Sequence, residues 1–128
     1  MNDYVARMVL ATCNKAKQLL FVSYIGQVRH SDLERSRDDL KAMLAELGPG
    51  FRSLVDLTGL ESMDLECAGI VGELMKLVDQ SGVGMVVRVI PDPKKDIGLN
   101  ILTIFHYRKH ARVVTCVKMT EAAEVLAL

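Results

Sequence analysis

The sequence predicts a single α/β domain over residues 1–128, in which about four helices cover a mixed, mostly parallel sheet of four to five strands. Segments rich in β-branched and apolar residues alternate with segments of helical periodicity, and glycine and proline fall between them. The stretch at residues 85–90, MVVRVI, is nearly all apolar, which is typical of a central parallel strand. Strands that alternate with helices predict right-handed crossovers.

The composition argues against several classes of protein. The chain has 16 basic and 16 acidic side chains, so no excess positive charge holds a phosphate backbone and no nucleic-acid partner is expected. The longest apolar run, at residues 19–22, is too short to span a membrane, and the first residues lack the pattern of a secretory signal. Three widely spaced cysteines, Cys13, Cys67 and Cys116, predict reduced thiols and therefore a cytoplasmic protein.

The first part of the chain predicts an antiparallel hairpin. Residues 6–13 and 17–25 are rich in β-branched and apolar residues, and Asn14-Lys15 between them favours a turn. In the second strand, apolar side chains fall on both faces, which indicates that the strand is covered on both sides.

The next segment predicts a helix followed by a strand. Ser31-Asp32-Leu33-Glu34 has the pattern of a capping box, with Ser31 as the N-cap. The apolar residues that follow at helical spacing are Leu33, Leu40, Met43, Leu44 and Leu47. Gly48 and Pro49 end the helix, and residues 51–57 then form a strand.

The remaining chain predicts three further helices and two strands. Asp64 is the expected N-cap of the second helix, and Gly69 and Gly72 within that helix are expected to allow close packing of a neighbouring element. A strand at residues 85–90, a third helix from about Asp96 and a strand at residues 112–117 follow. Thr120 is expected to cap a short final helix.

The fold predicts where a site would lie. In sheets of this kind, ligands and partners bind beyond the carboxyl ends of the strands. Those ends are residues 58–66, residues 91–96 and the residues after Ile25. In the second of these segments, Lys94 and Lys95 could meet an anionic partner or a lipid head group, and the alternative is a solvated loop.

Residues 54–69, LVDLTGLESMDLECAG, resemble the signature of the STAS family, which includes bacterial anti-sigma-factor antagonists and the cytoplasmic tails of sulfate transporters. That signature is a strand ending in Asp-Leu, a short loop, an apolar residue and Asp, and then Ser-Ser/Thr-Gly at the start of a helix. The order of strands and helices over about residues 20–126 also fits. The resemblance implies a STAS-like fold and a regulatory function through a protein partner, an anti-sigma factor of the kinase type.

The chain departs from the signature at the phosphorylated position. The resemblance places the phosphoacceptor two residues after the second Asp, where this chain has Glu66 after Asp64 and Leu65. Glu66 is either a favourable first-turn residue or a group that fixes the domain in a phosphorylated-like state. The two interpretations stay open.

No catalytic set, cofactor motif or metal site is predicted. The sequence has no Gly-x-Ser-x-Gly, no Gly-rich phosphate loop and no Cys-x-x-Cys. Cys67 is either a reactive thiol at a helix start or, as we expect, a buried core thiol. His106 and His110 lie four residues apart, and basic neighbours disfavour a cation there.

We therefore expect a non-enzymatic, STAS-like protein-interaction module without the usual phosphorylation site. The residues expected to bind the partner are Thr58, Ser62, Asp64, Leu65, Glu66, Gly69, Lys94 and Lys95. The alternative is a small-ligand or lipid-binding domain of related fold, in which the apolar third helix covers a cavity. A homodimer through that helix is a further possibility.

Overall fold

A computed structural model describes residues 8–90 and 111–128. The strands are β1 (Met8–Asn14), β2 (Leu19–Val28), β3 (Arg52–Asp56), β4 (Leu60–Met63), β5 (Met85–Val89) and β6 (Arg112–Cys116). The helices are α1 (His30–Leu44), α2 (Cys67–Gln80) and α3 (Met119–Leu126). Within the described ranges, no helix is long and apolar enough to cross a membrane.

The strands form one six-stranded mixed sheet in the order β1-β2-β3-β5-β6, with β4 paired to β2 beside this path. β1 pairs antiparallel with β2, which confirms the predicted hairpin. The pairs β2–β3, β3–β5 and β5–β6 are parallel. The prediction that residues 85–90 form an interior strand is confirmed, because β5 lies between β3 and β6.

Both faces of the sheet are covered, as the two-sided apolar pattern of β2 predicts. On one face, Leu20 and Tyr24 of β2 pack in a cluster with α1 and α2. On the other face, Leu19 packs with Val87 and with Leu126 of α3. Arg52 at the start of β3 donates a hydrogen bond to the carbonyl oxygen of Leu126 and so holds the end of α3 against the sheet.

The starts of the three described helices differ from the sequence prediction. Thr120 is not an N-cap, because α3 begins at Met119 with Lys118 as its N-cap. Ser31 is not an N-cap, because α1 already begins at His30. Its first turn is closed by Asp32, whose Oδ2 accepts a hydrogen bond from the backbone N–H of Arg29 at 2.8 Å. The N-cap of α2 is Glu66 rather than Asp64, since a turn at residues 64–66 precedes the helix.

The expected strands, the role of Gly69 and the third helix also need comparison with the structure. Strand β4 was not predicted, and β2 extends to Val28 instead of ending at Ile25. Gly69 does not serve close packing, because a Cβ built there would meet nothing within 4 Å. The predicted third helix from Asp96 lies outside the described residues, and the single domain over residues 1–128 stays a prediction.

Candidate partner-binding site

Strand β4 places the start of α2 at the carboxyl end of the sheet. β3 pairs with residues 19–23 of β2, and the second half of β2 then pairs with β4. The register shifts at Gly26, which has a φ of 73° and donates its N–H to the carbonyl oxygen of Gly59 at 2.8 Å. A positive φ is far easier for glycine than for residues with a Cβ. This bulge lets one long strand pair with two short ones in succession.

The turn before α2 occupies the first helical amides with backbone oxygens. The N–H of Cys67 donates to the carbonyl oxygen of Asp64 at 2.9 Å, and the N–H of Ala68 donates to that of Leu65 at 3.0 Å. Glu66 makes no side-chain capping hydrogen bond. Because backbone groups already satisfy these amides, the side chains at residues 64–66 are not needed to cap the helix.

Leu65 is the most exposed large apolar side chain in the described part of the chain, with 94% of its surface accessible. Two residues later, the side chain of Cys67 is fully buried. The apolar stripe of α2 explains this difference in exposure. The buried positions of the helix face the core, and Leu65 in the turn before them points outward. Leu65 is therefore accessible to a partner, and its role as a partner contact stays a prediction.

Acidic side chains surround this leucine along the chain. Glu61, Asp64 and Glu66 are all exposed. Arg29, also exposed, follows the end of β2, next to the end of β4. We call the surface formed by Arg29, Glu61, Asp64, Leu65 and Glu66 the rim. It combines one exposed apolar side chain with three carboxylates and one guanidinium group.

The charge on this rim also acts on the buried thiol beneath it. Burial raises the pKa of Cys67, and the negative charge of Asp64 raises it further. A backbone hydrogen bond at Asp64 lowers the pKa in part, and the charges of Glu66 and Asp32 make smaller contributions that raise it. The sulfur lies 3.8 Å from the carbonyl oxygen of Val28. The expectation of a buried core thiol is confirmed, and the reactive alternative is disfavoured because a raised pKa keeps the thiol protonated.

The loop between β3 and β4 completes the rim. The backbone N–H of Thr58 donates to Oδ1 of Asp56 at 2.9 Å, which fixes the turn after β3.

Six of the residues predicted to bind a partner lie in the described part of the chain and are exposed: Thr58, Ser62, Asp64, Leu65, Glu66 and Gly69. Lys94 and Lys95 lie outside the described residues. Arg29 was not predicted, because the pairing of β4 with β2 gave no sequence signal.

No family model and no curated protein matches the chain, whereas solved structures do. A protein of the DUF3478 family from Shewanella loihica, described as having a SpoIIAA-like fold, has a TM-score of 0.75 at 16% identity, over 98% of this chain and 99% of that chain. The anti-sigma factor antagonist SpoIIAA in its unphosphorylated form has a TM-score of 0.60 at 13% identity, over 93% of this chain and 97% of that chain.

An anti-sigma factor antagonist from Mycobacterium paratuberculosis has a TM-score of 0.57 at 16% identity, over 100% of this chain and 98% of that chain. At these identities the similarity shows the fold. The chain has the SpoIIAA-like fold, which confirms the STAS-like α/β architecture predicted from sequence.

Proposed function

We propose that this chain is a non-enzymatic regulatory module that binds a protein partner through the turn before α2, in the manner of an anti-sigma factor antagonist. Its fold is that of solved anti-sigma factor antagonists. The proposed partner is an anti-sigma factor of the histidine-kinase type. The binding surface is the turn at residues 64–66 together with Thr58, Ser62 and Gly69.

The exposure of Leu65 carries this proposal. A leucine that leaves 94% of its surface in water has no role in the core of the chain. Burying such a side chain in a partner's pocket contributes about 1.5–3 kcal/mol. Its position at the centre of an exposed turn, with carboxylates on both sides, is that of an apolar anchor within a polar rim.

The charge of the rim specifies the chemistry of the partner. The carboxylates of Asp64 and Glu66 flank Leu65 directly, and Glu61 adds a third negative charge nearby. A complementary surface would carry an apolar pocket with lysine or arginine side chains around it. Such complementarity accelerates association and excludes partners with acidic rims.

Glu66 occupies the position that the STAS resemblance assigns to the phosphorylated residue. Its carboxylate is exposed and makes no capping hydrogen bond. A fixed negative charge there replaces part of the charge of a phosphate. An antagonist with a phosphorylated residue would switch between two states. In this proposal the charge of Glu66 holds the chain permanently in the phosphorylated-like state.

Binding measurements test the surface. Each histidine-kinase-like anti-sigma factor encoded in the source genome is purified and titrated with this chain by calorimetry. We expect one of them to bind, and we expect Leu65→Asp and Glu66→Lys each to weaken binding at least tenfold. Leu10→Asp is the matched control, because Leu10 is an exposed leucine that lies on β1 and not in the turn before α2. Absence of binding by every candidate, or equal losses in all three variants, would contradict the proposal.

Intact-mass measurement after incubation with the binding partner and ATP tests the role of Glu66. We expect no phosphate on the parent chain and one phosphate on the Glu66→Ser variant. Stoichiometric phosphate on Ser62 or Thr58 of the parent would show that a switch is retained and would contradict the permanent state.

A further inference from the structure

A cavity of about 40 Å³ lies between the middle of the sheet and the two helices α1 and α2. Its floor includes Val22 of β2 and Val55 of β3. Both valines lie on interior strands and on the face that the helices cover, yet both remain partly exposed. The helices therefore do not close completely over the centre of the sheet, where an interior valine is ordinarily fully buried.

Leu40 of α1 and Leu74 of α2 contribute to the walls of this cavity. Three residues with a hydroxyl group, Tyr24, Ser36 and Ser53, also line it. Tyr24 is 7% exposed and Ser53 is 2% exposed. The hydroxyl of Ser36 donates to the carbonyl oxygen of Leu33 at 2.7 Å. The hydroxyls of Tyr24 and Ser53 can donate to an acceptor inside the cavity, and a hydrogen bond there would stabilise the folded chain.

The size of the cavity selects the class of molecule that fits. A water molecule needs roughly 10–15 Å³ of cavity volume, so the cavity has room for about three of them. Pockets for drug-sized ligands have volumes of roughly 300–1,000 Å³. The enclosed part of the cavity therefore holds a compact molecule of about three or four heavy atoms.

We propose that this cavity binds a small molecule with an apolar body and one carbonyl oxygen, such as a short-chain ketone or aldehyde. The apolar body packs on Val22 and Val55, and the carbonyl oxygen accepts a hydrogen bond from the hydroxyl of Tyr24 or Ser53. This site lies under the helices, whereas the proposed partner surface is the turn before α2. The inference therefore does not depend on the proposed function.

Methyl NMR of the labelled protein tests the site, with acetone and xenon as probes. We expect both probes to shift the methyl signals of Val22 and Val55 in a saturable manner. Ligands this small bind weakly, and for acetone we expect a dissociation constant above about 10 μM. The double variant Tyr24→Phe with Ser53→Ala keeps the apolar body of the cavity, so acetone should bind at least fivefold more weakly while xenon binds as before.

A second pair of variants tests the location. Ala11 lines the cavity from β1, and Ala11→Ile should fill it and abolish both responses. Thr12→Ile is the matched control, because successive side chains of a strand point to opposite faces. A parent chain that shows no saturable acetone shift holds water only, and that result would overturn the proposal. Acetone binding that survives either the double variant or Ala11→Ile would overturn it as well.

Discussion

The sulfur of Cys67 lies 3.8 Å from the carbonyl oxygen of Val28, so the first residue of α2 packs against the last residue of β2. Burial raises the pKa of Cys67 and also that of Cys116. Cys13 on β1 is only half-buried. A short pulse of iodoacetamide at pH 7, read by peptide mass spectrometry, should therefore modify Cys13 at least tenfold faster than the other two thiols.

The control for this experiment is the chain unfolded in guanidinium chloride, where all three cysteines should react at similar rates. If Cys67 in the folded chain reacts as fast as Cys13, the thiol is accessible as thiolate and the packing of α2 on β2 is wrong.

Substitution of two leucines separates the core from the partner surface. Leu33 of α1 is fully buried, whereas Leu65 is almost fully exposed. We expect Leu33→Ala to lower the free energy of unfolding by about 2–5 kcal/mol. We expect Leu65→Ala to change it by less than about 0.5 kcal/mol. Urea denaturation followed by circular dichroism measures both. A large loss in Leu65→Ala would mean that this leucine supports the fold and would remove the main support for the proposed binding surface.

Sequence patterns predict the elements of this fold well wherever a face is buried. The run at residues 85–90 has apolar side chains on both faces because β5 lies inside the sheet, and the stripe of α2 fixes which residues before it point outward. Strand β4 could not be predicted in this way. Leu60 is its only buried side chain, so its pairing with β2 depends on backbone hydrogen bonds and leaves no alternation.

The helix starts show a second limit of sequence patterns. Ser31 and Asp32 are both common near a helix start, and which one closes the first turn depends on where the preceding strand ends. Because β2 continues to Val28, Asp32 is placed to accept the N–H of Arg29. The same extension brings Arg29 to the rim. Both features follow from the pairing of β2 with β4, which is a tertiary contact.

Asp32 and Ser31 give a direct stability test of the start of α1. The carboxylate of Asp32 accepts from the N–H of Arg29 at 2.8 Å and lies 2.6 Å from Nη2 of Arg35. Asp32→Ala should lower the free energy of unfolding by about 1 kcal/mol, the usual cost of losing a cap. Ser31→Ala should change it by less than about 0.5 kcal/mol, because Ser31 is exposed and is not the cap. The opposite order of effects in thermal denaturation would restore Ser31 as the capping residue.

Burial raises the pKa of Tyr24 to about 12 from its ordinary value of 10. A raised folded-state pKa means that the folded chain holds the proton over a range in which the unfolded chain releases it. The stabilisation is complete below pH 10 and is lost as the pH rises towards 12. At about 1.4 kcal/mol for each pKa unit, the loss across this window is at most about 3 kcal/mol.

The measurement compares the parent with Tyr24→Phe by urea denaturation at pH 9 and pH 11.5. Lysine titration affects both chains alike, so the difference between them isolates the tyrosine. We expect the parent to lose more stability than the variant over this interval. Equal losses would mean that the hydroxyl of Tyr24 ionises in the folded chain and is not buried.

Gly69 connects helix stability with partner binding. It lies in the first turn of α2, where glycine is less favourable than alanine by about 0.8–1.0 kcal/mol. Nothing in the described structure requires a glycine there, because a Cβ would meet no atom within 4 Å. Gly69→Ala should therefore raise the free energy of unfolding by about 0.5–1 kcal/mol.

If the partner backbone lies close to this turn, the methyl group added by Gly69→Ala should also weaken binding of the partner. Gly84→Ala is the stability control: its Cβ would lie 3.0 Å from the carbonyl oxygen of Gly50, so this variant should be destabilised. A Gly69→Ala chain that is more stable and binds the partner with unchanged affinity would place Gly69 outside the contact and restrict the surface to residues 58–66.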